Sequence, residues 1–203
     1  RLEPQLLWGK ASLLVDAVPE RDGQPQSRAE LDRTGVTLNR ILEQSRDEVY
    51  IQSAYLILLD GGFKAIDEAI SRGVKVKLAT NSMASNNHLT AFIGYRKQRQ
   101  RMLATGAQLS EMRPEAKSER ELFTDEQLAQ FKPNFGLHCK TMVFDRKVTI
   151  VVSLNLDPRS INLNTEIGFM LESPTLAEAV AARIDNHKSP GNTRKLIMQD
   201  NVH

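Results

Sequence analysis

The sequence predicts an α/β domain, with a buried, mixed, largely parallel sheet and helices on both faces. Three observations predict it. A strand-like run, a helix-spaced run and a second strand-like run occupy residues 48–79, which is the order of a parallel crossover unit. Three strand-like runs follow closely at Thr141–Asp145, Thr149–Leu154 and Ile167–Glu172. A helix-spaced run then begins at Ser173-Pro174, with proline at the first helical position.

The first half of the chain supplies the crossover unit. Residues 1–27 have an irregular pattern and are expected to form an N-terminal segment without regular structure. Residues 28–46 carry leucine and isoleucine at helical spacing, and residues 48–59 are rich in Val, Tyr, Ile and Leu, which favours a buried strand. A second helix is expected to end before Gly73, and Val74–Ala79 alternates as the next strand.

The second half of the chain supplies the hairpins and the closing helix. The pattern predicts a helix from about His88 to Ala104 and a strand at Gln108–Met112. Residues 113–133 are polar and charged, so we expect a loop there with a short helix around Asp125–Phe131. The helix after Ser173 is expected to stop at the Ser189-Pro190-Gly191-Asn192 segment, and a last strand is predicted at 193–198.

Composition excludes several classes of protein. The 203 residues include 27 Lys and Arg against 25 Asp and Glu, a net charge of +2, so the chain is not a histone-like polycation. The single cysteine, Cys139, excludes an intrachain disulfide and a multi-cysteine zinc cluster. The first residue is Arg1 rather than Met, which favours a processed or truncated chain.

A histidine and a lysine two residues apart form the first part of a candidate site. In an extended segment, the side chains of His138 and Lys140 leave on the same face. The imidazole could attack phosphorus to give a phosphohistidine, and the ammonium could hold the phosphate and its developing negative charge. This pattern needs no metal or other cofactor, because side chains supply the positive charge.

Three polar residues further along complete the constellation. Ser153 and Asn155 are again two residues apart, so one face can offer a hydroxyl and an amide to phosphate oxygens. Glu166 could accept a hydrogen bond from His138 and fix its tautomer. These residue types in this order favour phosphodiester chemistry.

The constellation resembles the phospholipase D superfamily. The resemblance rests on His138, Lys140 and Asp145, which form the HxKxxxxD motif, and on Ser153, Asn155 and Glu166 at the family's spacing. The segments around 154–166, 80–87 and 94–114 look most like the bacterial cardiolipin synthases. The resemblance covers the chain from about residue 49 to residue 184, and it implies a phospholipase D-like α-β-α sandwich.

The resemblance also implies roles. His138 would be one of two active-site histidines, of which one forms the phosphohistidine and the other protonates the leaving alcohol. Lys140 and Asn155 would bind phosphate, Glu166 would orient the histidine, and Asp145 would make a structural polar contact. One departure is Val152, which stands where the family usually has glycine before the serine.

The chain carries one such motif, whereas the family's active site needs two. His88, His187 and His203 have no lysine two residues on. We therefore expect a single domain over residues 1–203 that is the second half of a two-motif protein. Its partner would be the missing N-terminal half or a second copy of the chain.

Three functions remain open. The first is a phosphatidyltransferase or phosphodiesterase acting on a phosphatidylglycerol-like phospholipid, most like a cardiolipin synthase, at the inner membrane of a bacterial cell envelope. The second is a nuclease-type phosphodiesterase acting as a homodimer, although the near-neutral charge argues against nucleic acid. The third is a catalytically silent fragment or interaction module.

Overall fold

The structure is a computed structural model that describes residues 6–16, 34–131 and 135–198. The strands of this described part are β1 (Lys10–Val15), β2 (Glu48–Ser53), β3 (Lys75–Asn81), β4 (Gln108–Met112), β5 (Lys140–Phe144), β6 (Val148–Val152), β7 (Ile167–Glu172) and β8 (Thr193–Leu196). Its helices are α1 (Thr34–Gln44), α2 (Asp60–Ser71), α3 (Leu89–Ala104), α4 (Lys117–Arg120), α5 (Asp125–Phe131), α6 (Pro158–Asn162) and α7 (Pro174–His187).

All eight of these strands form one mixed sheet in the order β1-β7-β6-β5-β2-β3-β4-β8. The α/β class and the mixed sheet are confirmed. The expectation of a largely parallel sheet is wrong, because only β2·β3 and β3·β4 pair in parallel among the described strands. Short connections link β5 to β6 and β6 to β7, and such connections leave antiparallel neighbours.

The helices lie on both faces of the sheet, as predicted. On one face, α1, α2 and α3 contribute Leu38, Phe63 and Met102 to the main apolar core, which includes Leu78 and Leu109 of the sheet. On the other face, α7 packs Ala177, Ala181 and Ile184 against Tyr50 and Val143. Strand β2 is buried between the two layers, since Val49 and Ile51 belong to the main core and Tyr50 packs under α7.

Strand β2 is shorter than the apolar run 48–59 suggested. The run continues to Leu59, but the strand ends at Ser53. The Gln98 side chain accepts a hydrogen bond from Leu58 N (2.8 Å) and donates one to Leu58 O (2.9 Å). This side chain replaces a strand partner, so the buried run can leave the sheet without an unpaired peptide group.

Part of the N-terminal segment is a strand and not irregular as expected. Lys10–Val15 pairs antiparallel with β7 at the edge of the sheet. The polar/apolar alternation in this strand is weak because its exposed face also carries apolar side chains, Leu13 and Val15. Residues 17–33, which include the predicted loop and the start of the first predicted helix, lie outside the described residues.

A polar cluster fastens α7 to its face of the sheet. The Tyr50 hydroxyl lies 2.6 Å from Lys77 Nζ, 2.7 Å from Asp185 Oδ2 and 2.7 Å from an Arg146 guanidinium nitrogen. Burial raises the pKa of Tyr50 to about 12. The network gives the buried Tyr50 hydroxyl charged hydrogen-bond partners, as buried polar groups require.

The other predicted elements occur within a few residues of their expected bounds, including the short helix α5 and the last strand β8. No helix within the described ranges is long and apolar enough to cross a membrane.

Candidate active site

Three strand ends meet at one end of the sheet. Strand β5 starts at Lys140, β6 ends at Val152, and β7 starts at Ile167. Because β5 pairs antiparallel with β6, and β6 with β7, the start of β5 lies beside the end of β6 and the start of β7. The topology thus gathers His138, Lys140, Ser153, Asn155 and Glu166 at a single edge.

His138 and Lys140 are in direct contact. The Lys140 ammonium lies 3.2 Å from His138 Nε2 and donates to the His138 carbonyl oxygen at 2.8 Å. His138 is exposed, whereas Lys140 is buried. Burial lowers the pKa of Lys140, and the negative charges of Glu166 and Asp157 nearby oppose that shift. Since an ammonium only donates, the Nε2 atom facing it presents its lone pair.

Glu166 is bound to Ser153 and not to His138. Its carboxylate accepts hydrogen bonds from Ser153 Oγ and from Asn164 Nδ2, the latter at 3.0 Å. The predicted Glu166–His138 hydrogen bond is not among those that the described residues form, and each carboxylate oxygen has another donor. Ser153 Oγ also accepts from Ile167 N at 3.0 Å, so this serine joins the two strand ends.

Asn155 presents an unsatisfied polar atom. Its Oδ1 is buried and has no hydrogen-bond partner among the described residues. A buried acceptor without a partner costs free energy unless a ligand or water satisfies it. Asn155 thus has a buried acceptor that a donor group of a ligand would satisfy.

Asp145 lies at the opposite end of β5 from His138. It occupies the β5–β6 turn with a φ of 50°, and its carboxylate accepts from the backbone N–H groups of Arg46, Asp47 and Glu48 at 2.9, 2.9 and 3.1 Å. In this position it holds the loop before β2 and does not touch the reacting groups.

The sequence did not indicate which residues fix the position of the backbone just before His138. Asn81, buried at the end of β3, donates to Leu137 O (2.8 Å) and accepts from Leu137 N (2.7 Å). Gly136 runs so close to Ser85 that a Cβ would lie 2.5 Å from the Ser85 carbonyl oxygen. The signal in the sequence was a lone asparagine at the end of an apolar strand, which is a common place for a polar site residue.

Asp16 is a second residue that the sequence analysis missed. It is only 3% exposed, and its carboxylate accepts from Glu166 N at 3.1 Å and from Thr34 N at 2.6 Å. Its own N–H donates to Glu166 O at 2.9 Å. Asp16 thus fixes the backbone of Glu166 from the edge strand β1, whose end was read as part of an irregular segment.

We expect Asp16→Asn to lower both stability and turnover. An amide offers one acceptor oxygen where the carboxylate offers two, so its NH₂ group must face either Glu166 N or Thr34 N. The free energy of unfolding should fall by about 1–3 kcal/mol, measured by urea titration. Turnover should fall by about tenfold because Glu166 is held less firmly. The exposed Asp67→Asn on α2 is the control, and equal losses in both variants would refute this role for Asp16.

The remaining candidate groups lie outside the cluster. The Cys139 thiol lies 3.3 Å from Gln52 Oε1, on the side of the strand opposite to Lys140. The His88 ring contacts Thr90 Oγ1 at 3.2 Å. Within the described ranges, no three His, Cys, Asp or Glu side chains converge as they would around a metal ion.

Comparison with known proteins agrees with this arrangement. Residues 38–188 match the family model described as "Cardiolipin synthase, PLD-like domain". Cardiolipin synthase C of Escherichia coli K12 is 31% identical over 178 residues, which are 88% of this chain and 37% of that protein. The chain thus spans about a third of the length of that relative.

Two solved structures share the fold. Nuc from Salmonella typhimurium, a phospholipase D family member, superposes with a TM-score of 0.59 at 16% identity, over 93% of this chain and 100% of Nuc. NucT from Helicobacter pylori superposes with a TM-score of 0.56 at 17% identity, over 90% of this chain and 97% of NucT. With the family match over three quarters of its length, the chain belongs to the phospholipase D superfamily, in the family of cardiolipin synthase PLD-like domains.

Proposed function

We propose that this domain supplies one half of a phosphatidyltransferase site that works through a phosphohistidine. The observation that carries the proposal is the 3.2 Å contact between Lys140 Nζ and His138 Nε2, at the edge of the sheet that also carries Asn155. A nucleophilic nitrogen whose lone pair faces a buried ammonium, with an amide group at the same edge of the sheet, supplies the groups that a phosphodiester requires.

The mechanism exchanges two ester bonds at one phosphorus. His138 Nε2 forms a bond to phosphorus while the bond to the donor's alcohol oxygen breaks. Lys140 and the Asn155 amide group stabilise the negative charge on the phosphoryl oxygens. The acceptor's hydroxyl oxygen then forms the new P–O bond and the P–N bond breaks, which regenerates His138.

The proton transfers need a second general acid and base. The leaving alkoxide must gain a proton, and the acceptor hydroxyl must lose one. The hydrogen bonds described for His138 join it to Lys140. We assign both transfers to a histidine of a second domain of the same family, either a second copy or another part of a longer protein.

An exposed apolar face beside the site supports this pairing. Leu13, Val15, Val151, Ile167 and Phe169 are between 45% and 59% exposed. The register places Leu13 opposite Phe169, and Phe169 opposite Val151, so these side chains share one face of the sheet. A contiguous exposed apolar patch next to Glu166 is typical of a protein interface.

Phospholipid is the substrate that the sequence relationship favours, since the relative at 31% identity is cardiolipin synthase C. The alternative is a nuclease-type homodimer, and the likeness to Nuc extends over all of Nuc. That likeness is at 16% identity, so it speaks for the fold and not for the substrate.

Turnover and oligomeric state test the proposal together. The chain is incubated with phosphatidylglycerol in detergent micelles, and separately with single-stranded DNA, and its mass is measured by size-exclusion light scattering. We expect lipid turnover from a dimer, and Phe169→Ser should reduce both the dimer fraction and the turnover. Cleavage of DNA without lipid turnover would overturn the lipid proposal, and full turnover by a monomer would overturn the pairing.

A further inference from the structure

A polar cavity lies next to the phosphate-binding groups, on the side away from α7. Its volume is about 450 Å³, within the roughly 300–1,000 Å³ range of small-ligand sites. Its polar wall includes Tyr55, His88, Thr90, Asn155, Arg159 and Asn164. We call it the acceptor cavity.

Asn155 links this cavity to the site. The residue forms part of the wall, and its buried Oδ1 has no partner among the described residues. A ligand that fills the cavity therefore lies within reach of the same amide that the mechanism uses on the reacting phosphate. The cavity is a neighbouring subsite and not a separate site.

Arg159 gives the cavity an uncompensated positive charge. Its side chain is exposed on α6 and forms no ion pair with a carboxylate in the described part of the chain. The carboxylate of the neighbouring Asp157 caps α6: it accepts from Arg159 N at 2.8 Å, Ser160 N at 3.1 Å and Ser160 Oγ at 3.3 Å. The Arg159 guanidinium is thus available to an anion, for which it offers a planar fork of donors.

Hydroxyl-binding groups line the opposite wall. The Tyr55 hydroxyl donates to Asn87 Oδ1 at 3.0 Å, and its oxygen can still accept. The His88 ring packs edge-on against Tyr55, with 5.7 Å between ring centroids. His88 Nδ1 faces Thr90 at 3.2 Å, and its Nε2 has no partner among the described residues. An anion site facing hydroxyl-binding groups fits a polyol phosphodiester better than it fits an apolar chain.

We propose that the acceptor cavity binds the headgroup of the second, acceptor phospholipid. The headgroup is a glycerol phosphodiester: Arg159 holds its phosphate, and the wall with Tyr55 and His88 holds its glycerol hydroxyls. This inference rests on the proposed function, because only a transferase that joins two phospholipids has two phosphates to bind at once. It makes Arg159 a specificity residue for the acceptor.

Binding of a soluble headgroup tests this without any turnover. Glycerophosphoglycerol is titrated into the full chain by calorimetry, and the Arg159 Nε–H signal is followed by NMR. We expect Arg159→Gln to weaken binding about tenfold, the effect of one charge-assisted hydrogen bond. The control is Arg40→Gln, which removes an exposed positive charge on α1 away from the cavity and should leave binding unchanged.

The other outcomes each overturn the proposal. Equal affinity for inorganic phosphate and glycerophosphoglycerol would mean a simple anion site that does not recognise glycerol. A shift of the Arg159 signal by single-stranded DNA but not by glycerophosphoglycerol would mean a polynucleotide track. Equal binding by wild type and Arg159→Gln would remove Arg159 from the subsite.

Product analysis separates this inference from the proposed function. With phosphatidylglycerol as donor and acceptor, Arg159→Gln should lower transfer about tenfold relative to hydrolysis, so that phosphatidic acid accumulates in place of the diphosphatidyl product. If His138→Asn leaves turnover intact, the proposed function fails. If His138→Asn abolishes turnover but Arg159→Gln keeps the wild-type product ratio, only the acceptor subsite fails.

Discussion

His138→Asn should lower phosphatidylglycerol turnover by at least about 10⁴-fold, since it removes the proposed nucleophile. The amide of asparagine is similar in size to part of the imidazole, but its nitrogen lone pair is delocalised and does not attack phosphorus. The measurement is a single-turnover assay with phosphatidylglycerol labelled with ³²P in the phosphatidyl group. Wild type should retain label in an acid-labile, base-stable bond to protein, as a phosphohistidine does, and the variant should retain none.

The matched control is His203→Asn, which makes the same substitution at the last residue of the chain. It should leave both turnover and labelling unchanged. His138 is exposed and packs little, so the variant should also unfold at the wild-type urea concentration. Wild-type labelling in His138→Asn would show that another group is the nucleophile, and the mechanism would have to be abandoned.

The position of the site could be predicted because strand ends carry it. His138 and Lys140 lie at the start of β5, Ser153 and Asn155 follow β6, and Glu166 precedes β7. Predicting these strands from the sequence therefore also predicts that the candidate residues lie at one edge of the sheet. The α/β class followed from the same strands and from the helix-spaced runs between them. The parallel character of the sheet was overestimated because the β2-α2-β3 unit is easier to recognise than an edge hairpin.

The contacts within the site could not be predicted in the same way. Glu166 binds Ser153 and Asn164, and no spacing rule places these two partners ahead of His138. Asp16 is separated from Glu166 by 150 positions in the chain. A contact of that kind depends on the register of β1 against β7, and weak alternation in an exposed edge strand does not reveal a register.

Gly168 explains how the domain tolerates Val152 where the family usually has glycine. The two residues are direct partners in the β6·β7 register. A Cβ at Gly168 would overlap Val152 Cγ1 and would lie 2.9 Å from Val152 Cα and 2.7 Å from Val151 O. The missing side chain of Gly168 therefore makes room for the valine immediately before Ser153.

We expect Gly168→Ala to lower the free energy of unfolding by about 3 kcal/mol or more, because the added methyl group meets backbone as well as a side chain. It should also lower turnover, since separating β6 from β7 moves Ser153 away from Glu166. Urea titration and the lipid assay measure the two effects. Gly61→Ala in α2 is a control with the opposite sign: nothing lies within 4 Å of its Cβ position, and alanine favours the helix by about 0.5–1 kcal/mol.

A double-mutant cycle tests whether Val152 is the cause of the clash. Val152→Gly alone should destabilise the domain by leaving a cavity, because Val152 is buried. In the Val152→Gly/Gly168→Ala double variant the new methyl group has space beside β6, so the two effects should compensate with a coupling of about 1–3 kcal/mol. Recovery should be partial, because the Val151 carbonyl oxygen remains close. Strict additivity of the two losses would show that Gly168 is needed for the backbone alone and that its pairing with Val152 is incidental.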